Sequence, residues 1–369
     1  MKAKRFSLFL LPLLFIIGVF YLYPTNEESL IQISVADKHR GVCWVGGPYT
    51  VDDTDLRELA EKNVNWISQT PFGWQSGHDN PEIGNNHGTN SRVWWGESHE
   101  GIRQTTRMAK KLGIKTILKP HIWLRDPEGK WRGEIRMKTE EDWLKWFQDY
   151  EEFIIHYAQL AEEEGMEMFC VGTELHHSCL DREADWRSLI VKIREVYSGE
   201  LTYAANFADE YKDVPFWDAL DYIGVQGYFP VAENEQPELE DVKKAWQRHL
   251  ADLQSFSNRY QKPILFTEIG YKSTKDAGIS PWTWPQRLTD DEREIIFSEE
   301  TQATLYRAMM EETMKAPFVA GIHLWKWYPK YGERQSRRGG NTTAFNIDFT
   351  PQGKQAEAVM SEYFGAFKK

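Results

Sequence analysis

The sequence predicts an α/β fold, a single (β/α)8 TIM barrel over residues 39–369, behind an N-terminal signal or anchor segment. Three observations carry this expectation. Eight short apolar runs recur along the chain, and longer stretches with helical spacing separate them. Strands that alternate with helices pair in parallel through right-handed crossovers. Eight such units fit a closed barrel of ~250 residues enlarged by loop insertions. Finally, Gly41-Val42-Cys43-Trp44-Val45-Gly46-Gly47 lacks the glycine spacing that a doubly wound open sheet needs for its phosphate loop.

In chain order, Lys2, Lys4 and Arg5 precede a mostly apolar stretch over residues 6–23 that Pro24 closes. A basic flank before such a stretch marks a secretory signal or a signal anchor. As a helix it falls just short of a ~30 Å hydrocarbon layer. Tyr21 and Tyr23 sit where interfacial aromatics belong, which favours a retained anchor over a cleaved leader. Residues 1–24 are therefore set apart, 25–38 form a polar linker, and the barrel is expected to be exported, either tethered on the outer face of a membrane or secreted.

The apolar runs are residues 41–45, 65–70, 115–120, 168–174, 201–207, 222–228, 263–268 and 319–325. Each is rich in Val, Ile, Phe or Trp, as strands buried on both faces should be. Between the third and fourth runs, Trp143, Trp146, Phe147, Tyr150, Phe153, Ile154, Tyr157, Leu160 and Ala161 make one helical stripe. Thr139 and Asp142 resemble a capping pair at its start, and Gly165 is a natural stop. Leu189, Ile190, Ile193, Val196 and Tyr197 form a second stripe before Gly199, and Ala356, Val359, Met360, Tyr363 and Phe364 a third. Two long segments, 72–99 and 272–297, follow the second and seventh runs and are expected to be functional loops.

Composition narrows the chemistry. With 41% apolar, 27% charged and 14% aromatic residues, the chain is neither disordered nor fibrous. A formal net charge of -12 opposes binding to nucleic acid. Three cysteines do not make a disulfide framework, and Cys43 and Cys170 read as small apolar strand residues. The 16 Trp and 16 Tyr are unusual, and their broad faces suit stacking on sugar rings as well as packing.

A barrel keeps its active site at the carboxyl ends of its strands. Those ends carry Trp44, Phe72 with Trp74, Lys119 with His121 and Trp123, Glu174, Asn206, Gln226 with Tyr228, Glu268, and Trp325 with Trp327. Glu174 and Glu268 stand out, since each closes an apolar run and a buried carboxylate is costly unless paired or working. Two carboxyls across a slot are the machinery of glycoside cleavage, one protonated and one ionised. Lys119 and His121 are expected to line the pocket, with the lysine charge favouring an anionic neighbour. Neither Glu174-Leu175-His176-His177 nor His78, His87, Glu97 and His99 has a metal-ligand spacing, so no metal or cofactor is expected. His176 or His177 fits a loop hydrogen bond better, and the basic residues 336–341 read as a solvated loop.

Gly172-Thr173-Glu174-Leu175 on the fourth run and Thr267-Glu268-Ile269-Gly270-Tyr271 on the seventh resemble clan A retaining glycoside hydrolases. With Lys119-Pro120-His121, Gln226-Gly227-Tyr228 and Leu324-Trp325-Lys326-Trp327, the chain looks most like glycoside hydrolase family 113, the β-mannanases. The resemblance implies Glu174 as acid/base, Glu268 as nucleophile, Tyr228 as hydroxyl partner of the nucleophile, and a tryptophan of the eighth run as floor of the cleavage subsite. It also implies a β-mannan or a related oligosaccharide as partner, cut at β-1,4 bonds with retention, which requires carboxyls ~5–5.5 Å apart. Many clan members place Asn just before the acid/base to hold the sugar 2-hydroxyl; Thr173 stands there in this chain, which argues against the cellulase-like families. Another β-glycanase or exo-β-glycosidase on the same frame, and a non-catalytic glycan-binding barrel, are the alternatives. A monomer is expected.

Overall fold

The computed structural model describes residues 31–84, 93–284, 288–331 and 346–368. The expected signal or anchor segment, the start of the linker, His87 and the basic run 336–341 lie outside the described residues. Among the described residues, no helix is long and apolar enough to cross a membrane.

Among the described residues ten strands follow one another: β1 (His39–Trp44), β2 (Trp66–Gln69), β3 (Phe72–Gln75), β4 (Lys115–Leu118), β5 (His121–Leu124), β6 (Met168–Thr173), β7 (Glu200–Asn206), β8 (Ile223–Gln226), β9 (Ile264–Ile269) and β10 (Val319–Trp327). Eight of them close into a barrel in the order β1, β2, β4, β6, β7, β8, β9, β10, and β10 returns to β1. Every pairing is parallel. Each expected run supplies one barrel strand, and the boundaries differ by a few residues at most.

The two remaining strands are a finding that the apolar runs did not announce. Proline has no N–H for a ladder, so Pro71 and Pro120 interrupt the barrel strands that precede them. The ladder resumes beyond them, where His121 N–H donates to Pro71 O at 2.9 Å, and β3 and β5 pair in parallel as a small separate sheet. Part of the expected 72–99 loop is thus a strand that carries Phe72 and Trp74 beside His121 and Trp123.

The helices are α1 (Asp53–Glu61), α2 (His99–Lys111), α3 (Glu140–Glu163), α4 (His176–Asp181), α5 (Glu183–Val196), α6 (Glu210–Asp213), α7 (Leu239–Tyr260), α8 (Asp290–Ile296), α9 (Glu299–Lys315) and α10 (Gln355–Ala366). In α3 the expected stripe is buried in full, and the Thr139 hydroxyl accepts from Asp142 N–H at its start. The chain leaves this helix through Gly165, whose φ of 55° is a backbone state that glycine adopts without cost. Thus Trp143 and Trp146 pack in the core between helix and barrel.

Inside the barrel, side chains fill successive layers, as small barrels require. Trp66, Ile117, Met168, Leu265 and Ala320 form an apolar cluster of their own. A buried polar group adjoins it, where His323 Nδ1 lies 2.7 Å from Ser68 Oγ and His323 Nε2 3.1 Å from His39 Nδ1. Any side chain at Gly41 would meet the His323 ring at 2.6 Å, so glycine there makes room for the imidazole. Cys43, Tyr228, Trp325 and Phe349 form a third cluster, in which Tyr228 and Trp325 are strand-end residues. All three cysteines are buried and free.

Candidate active site

Glu268 lies near the end of β9 and is 7% exposed. Lys119 Nζ, fully buried just past β4, donates to Glu268 Oε2 at 2.9 Å and to Thr267 O at 3.1 Å. From the turn after β8, the Tyr228 hydroxyl donates to Glu268 Oε1 at 2.5 Å. Burial, and then the Glu268 charge, raise the Tyr228 phenol well above its usual range, which keeps it a donor. Burial pulls the Lys119 ammonium down, the Glu268 carboxylate and the nearby Cys43 and Cys170 pull it up, and on balance its pKa is raised. Both oxygens of Glu268 therefore accept hydrogen bonds, one of them from a cation. That is the setting of an anionic carboxylate.

Glu174 ends the fourth barrel strand one residue past β6, with a backbone φ of 51°. Its surroundings differ. Asn206 Nδ2, at the end of β7, donates to Glu174 Oε1 at 2.9 Å. Burial pushes its carboxyl above the usual range; Arg132 pulls it down, Glu268 pushes it further up, and Asn206 and Lys119 pull it down. The net effect is a rise, so this carboxyl holds its proton to higher pH than an exposed glutamate. A carboxyl that keeps its proton beside one held as an anion divides acid and nucleophile roles by environment alone.

Arg132, in the loop after β5, donates from Nη1 to His121 Nδ1 at 2.8 Å. Burial, Lys119 and Arg132 push the His121 imidazole well below its usual pKa, so it is neutral. With Nδ1 accepting, the ring proton belongs on Nε2, and that atom is buried without a partner among the described residues. Gln226 Oε1, at the end of β8, is a second buried polar atom in this condition.

The other expected site residues divide by exposure. Trp123 is 46% exposed on β5 and has Trp74 and Phe72 beside it, at ring separations of 6.1 and 5.7 Å. Trp325 lies 6.0 Å from Lys119 Nζ and edge-on to Trp284 at 6.3 Å. Trp44 and Trp327 are each 1% exposed and packed in the core. The expectation that they offer open faces to a sugar is corrected accordingly. A strand-end position does not fix which side of the sheet a residue faces, and a register shift between Val42 and Trp44 adds to the ambiguity. Thr173 donates from its hydroxyl to Pro120 O at 3.3 Å, while the amide beside Glu174 comes from Asn206 on the next strand. His176, at the start of α4, lies 3.1 Å from Asp213 at the end of α6, a contact between two short helices and not the loop hydrogen bond expected. Among the described residues, no three His, Cys, Asp or Glu side chains gather as a metal site.

Two residues escaped the sequence reading. Arg132 sits in a segment without periodicity, and no strand end points to it. Glu210 opens α6, where its buried carboxyl is pushed up to about 8, chiefly by burial. A glutamate in a one-turn helix gives no signal by spacing.

Residues 46–354 match the family model for Glycoside Hydrolase Family 113. The chain belongs to that family. It is accordingly a glycoside hydrolase. Among solved structures it resembles the family 113 β-mannanase AaManA from Alicyclobacillus acidocaldarius in complex with ManMIm, at 28% identity and a TM-score of 0.74, over 92% of this chain and 100% of that one. A family 113 β-1,4-mannanase complex matches at 27% identity and a TM-score of 0.73, over 89% of this chain and 99% of that one. A β-D-glucuronidase for Dictyoglomus thermophilum shares the fold at 16% identity and a TM-score of 0.57, over 89% of this chain and 50% of that one. No curated protein matches this chain.

Proposed function

We propose that this family 113 enzyme hydrolyses β-1,4-mannosidic bonds by double displacement, with Glu268 as nucleophile and Glu174 as acid/base. The observation that carries the reading is the contrast between the two carboxyls. Glu268 accepts from Lys119 and Tyr228, while Glu174 is buried beside Asn206 with its pKa raised. In the first step Glu268 attacks the anomeric carbon, and Glu174 passes its proton to the departing oxygen. A water molecule, deprotonated by Glu174, then releases the sugar with its configuration retained.

Mannan as substrate draws support from the likeness to two β-mannanases. A polymeric substrate draws support from the rim. The exposed tryptophans Trp94, Trp123, Trp131, Trp282 and Trp284 all lie in segments that follow barrel strands, on the side of the two carboxyls. Exposed aromatic faces in one region suit a chain of pyranose rings. His121 Nε2–H and Gln226 Oε1 are a buried donor and acceptor without partners among the described residues. The basic flank and apolar stretch at the start of the chain support an exported enzyme, tethered outside a membrane or released.

The test is release of reducing ends from mannan, cellulose and xylan by the full chain. Preferential release from mannan is expected, and preferential release from xylan or cellulose would overturn the assigned sugar.

A further inference from the structure

We propose that Glu210 is a positioning residue for Glu174, acting through Asn206 and Tyr203; this rests on the acid/base reading above. Glu174 is a non-glycine residue in the left-handed region, at φ 51°. Such a state is strained and persists only where the surroundings over-determine it. Here they do. Glu174 N–H donates to Ala204 O at 2.9 Å, and the next amide, Leu175 N–H, donates to the Tyr203 oxygen at 2.6 Å. The Tyr203 hydroxyl donates onward to Glu210 Oε1 at 2.5 Å. Glu210 Oε2 accepts from Asn206 N–H at 2.7 Å, and the Asn206 side chain donates to Glu174 Oε1 at 2.9 Å.

One carboxyl thus holds the acid/base from two sides, from the backbone behind it and from the amide in front. The Asn206 N–H bond alone would be an ordinary strand-to-helix turn. The Tyr203 arm is what a turn does not need. Tyr203 is fully buried among Trp186, Phe216 and Trp217, so its hydroxyl has little freedom to swing away. Glu210 itself is 1% exposed, and a buried carboxyl is expensive to retain for packing alone.

An acid is needed only when the leaving group is poor, and this separates positioning from folding. The measured quantity is kcat/KM, which reports the first chemical step, on a manno-oligosaccharide and on 2,4-dinitrophenyl β-mannoside. Glu210→Ala should lose ~10²-fold on the oligosaccharide and less than about 3-fold on the dinitrophenyl substrate. Glu210→Gln should lose less than alanine on the oligosaccharide and stay within about 3-fold on the dinitrophenyl substrate, since its one oxygen can still accept from Asn206 N–H or from the Tyr203 hydroxyl but not from both. Where the alanine variant fails to fold, Tyr203→Phe cuts one arm alone and should lose ~10-fold on the oligosaccharide only. Equal losses on both substrates, or unimpaired oligosaccharide cleavage by the alanine variant, would overturn the proposal. Glu174→Ala losing as much on the dinitrophenyl substrate as on the oligosaccharide would instead contradict the acid/base reading, and this proposal with it.

Discussion

Each hydrogen bond at the proposed catalytic pair has a distinct expected consequence. Glu268→Ala removes the attacking atom and should lower turnover by on the order of 10⁴-fold or more in steady-state assays. Glu174→Ala should cost ~10²–10⁴-fold on oligosaccharides, yet an activated aryl glycoside should still load the enzyme, and azide should speed its release. Tyr228→Phe deletes a donor to a charged oxygen, worth about 1.5–3 kcal/mol, so kcat should fall ~10–100-fold. Arg132 bears on pH instead. Its charge pulls the Glu174 pKa down, so Arg132→Gln should let Glu174 hold its proton longer. The alkaline limb of the rate profile should then move up, and a downward move would contradict the electrostatic account.

At the scale of elements, the apolar runs disclosed the barrel strands because a strand covered on both faces has little choice of residue. Glu174 and Glu268 were legible for the same reason, as charges that close otherwise apolar segments. What those segments could not disclose lies beyond them. The β3–β5 sheet follows from Pro71 and Pro120, which break a ladder that then resumes, and strand patterning reads a break as an end. Arg132 and Glu210 reach the site from a loop and a single helical turn, where function depends on contacts rather than on period. Trp44 and Trp327 show the opposite failure, since their positions were right for a site and their faces are buried. The same sheet makes its own prediction. Trp123→Ala should raise KM on long manno-oligosaccharides several-fold with little change in kcat, because an exposed ring binds a sugar without taking part in bond breaking.

For the whole molecule, the barrel interior sets the response to acid. Burial pushes the His323 imidazole down to about 3, and His39 and His121 also lie well below the ordinary value. In the unfolded chain these rings take up protons below about pH 6.5. Between that value and the folded pKa the unfolded state binds more protons, so stability falls as pH falls through this window. The slope reaches at most about 1.4 kcal/mol per pH unit for each such ring. His323→Gln should therefore flatten the dependence of Tm on pH between ~6.5 and ~4, whatever it does to Tm at neutral pH. The proposed catalytic pair is built into the same interior, through the Lys119 ammonium just past β4 that donates to Glu268 on β9. The measurement that tests the pair most directly is mass analysis of peptides from enzyme trapped with a 2-deoxy-2-fluoro β-mannosyl fluoride. One glycosyl group on the peptide that contains Glu268 is predicted. A label on any other carboxylate, or an inverted product with no trapped species, would contradict the assignment of Glu268 as the attacking group.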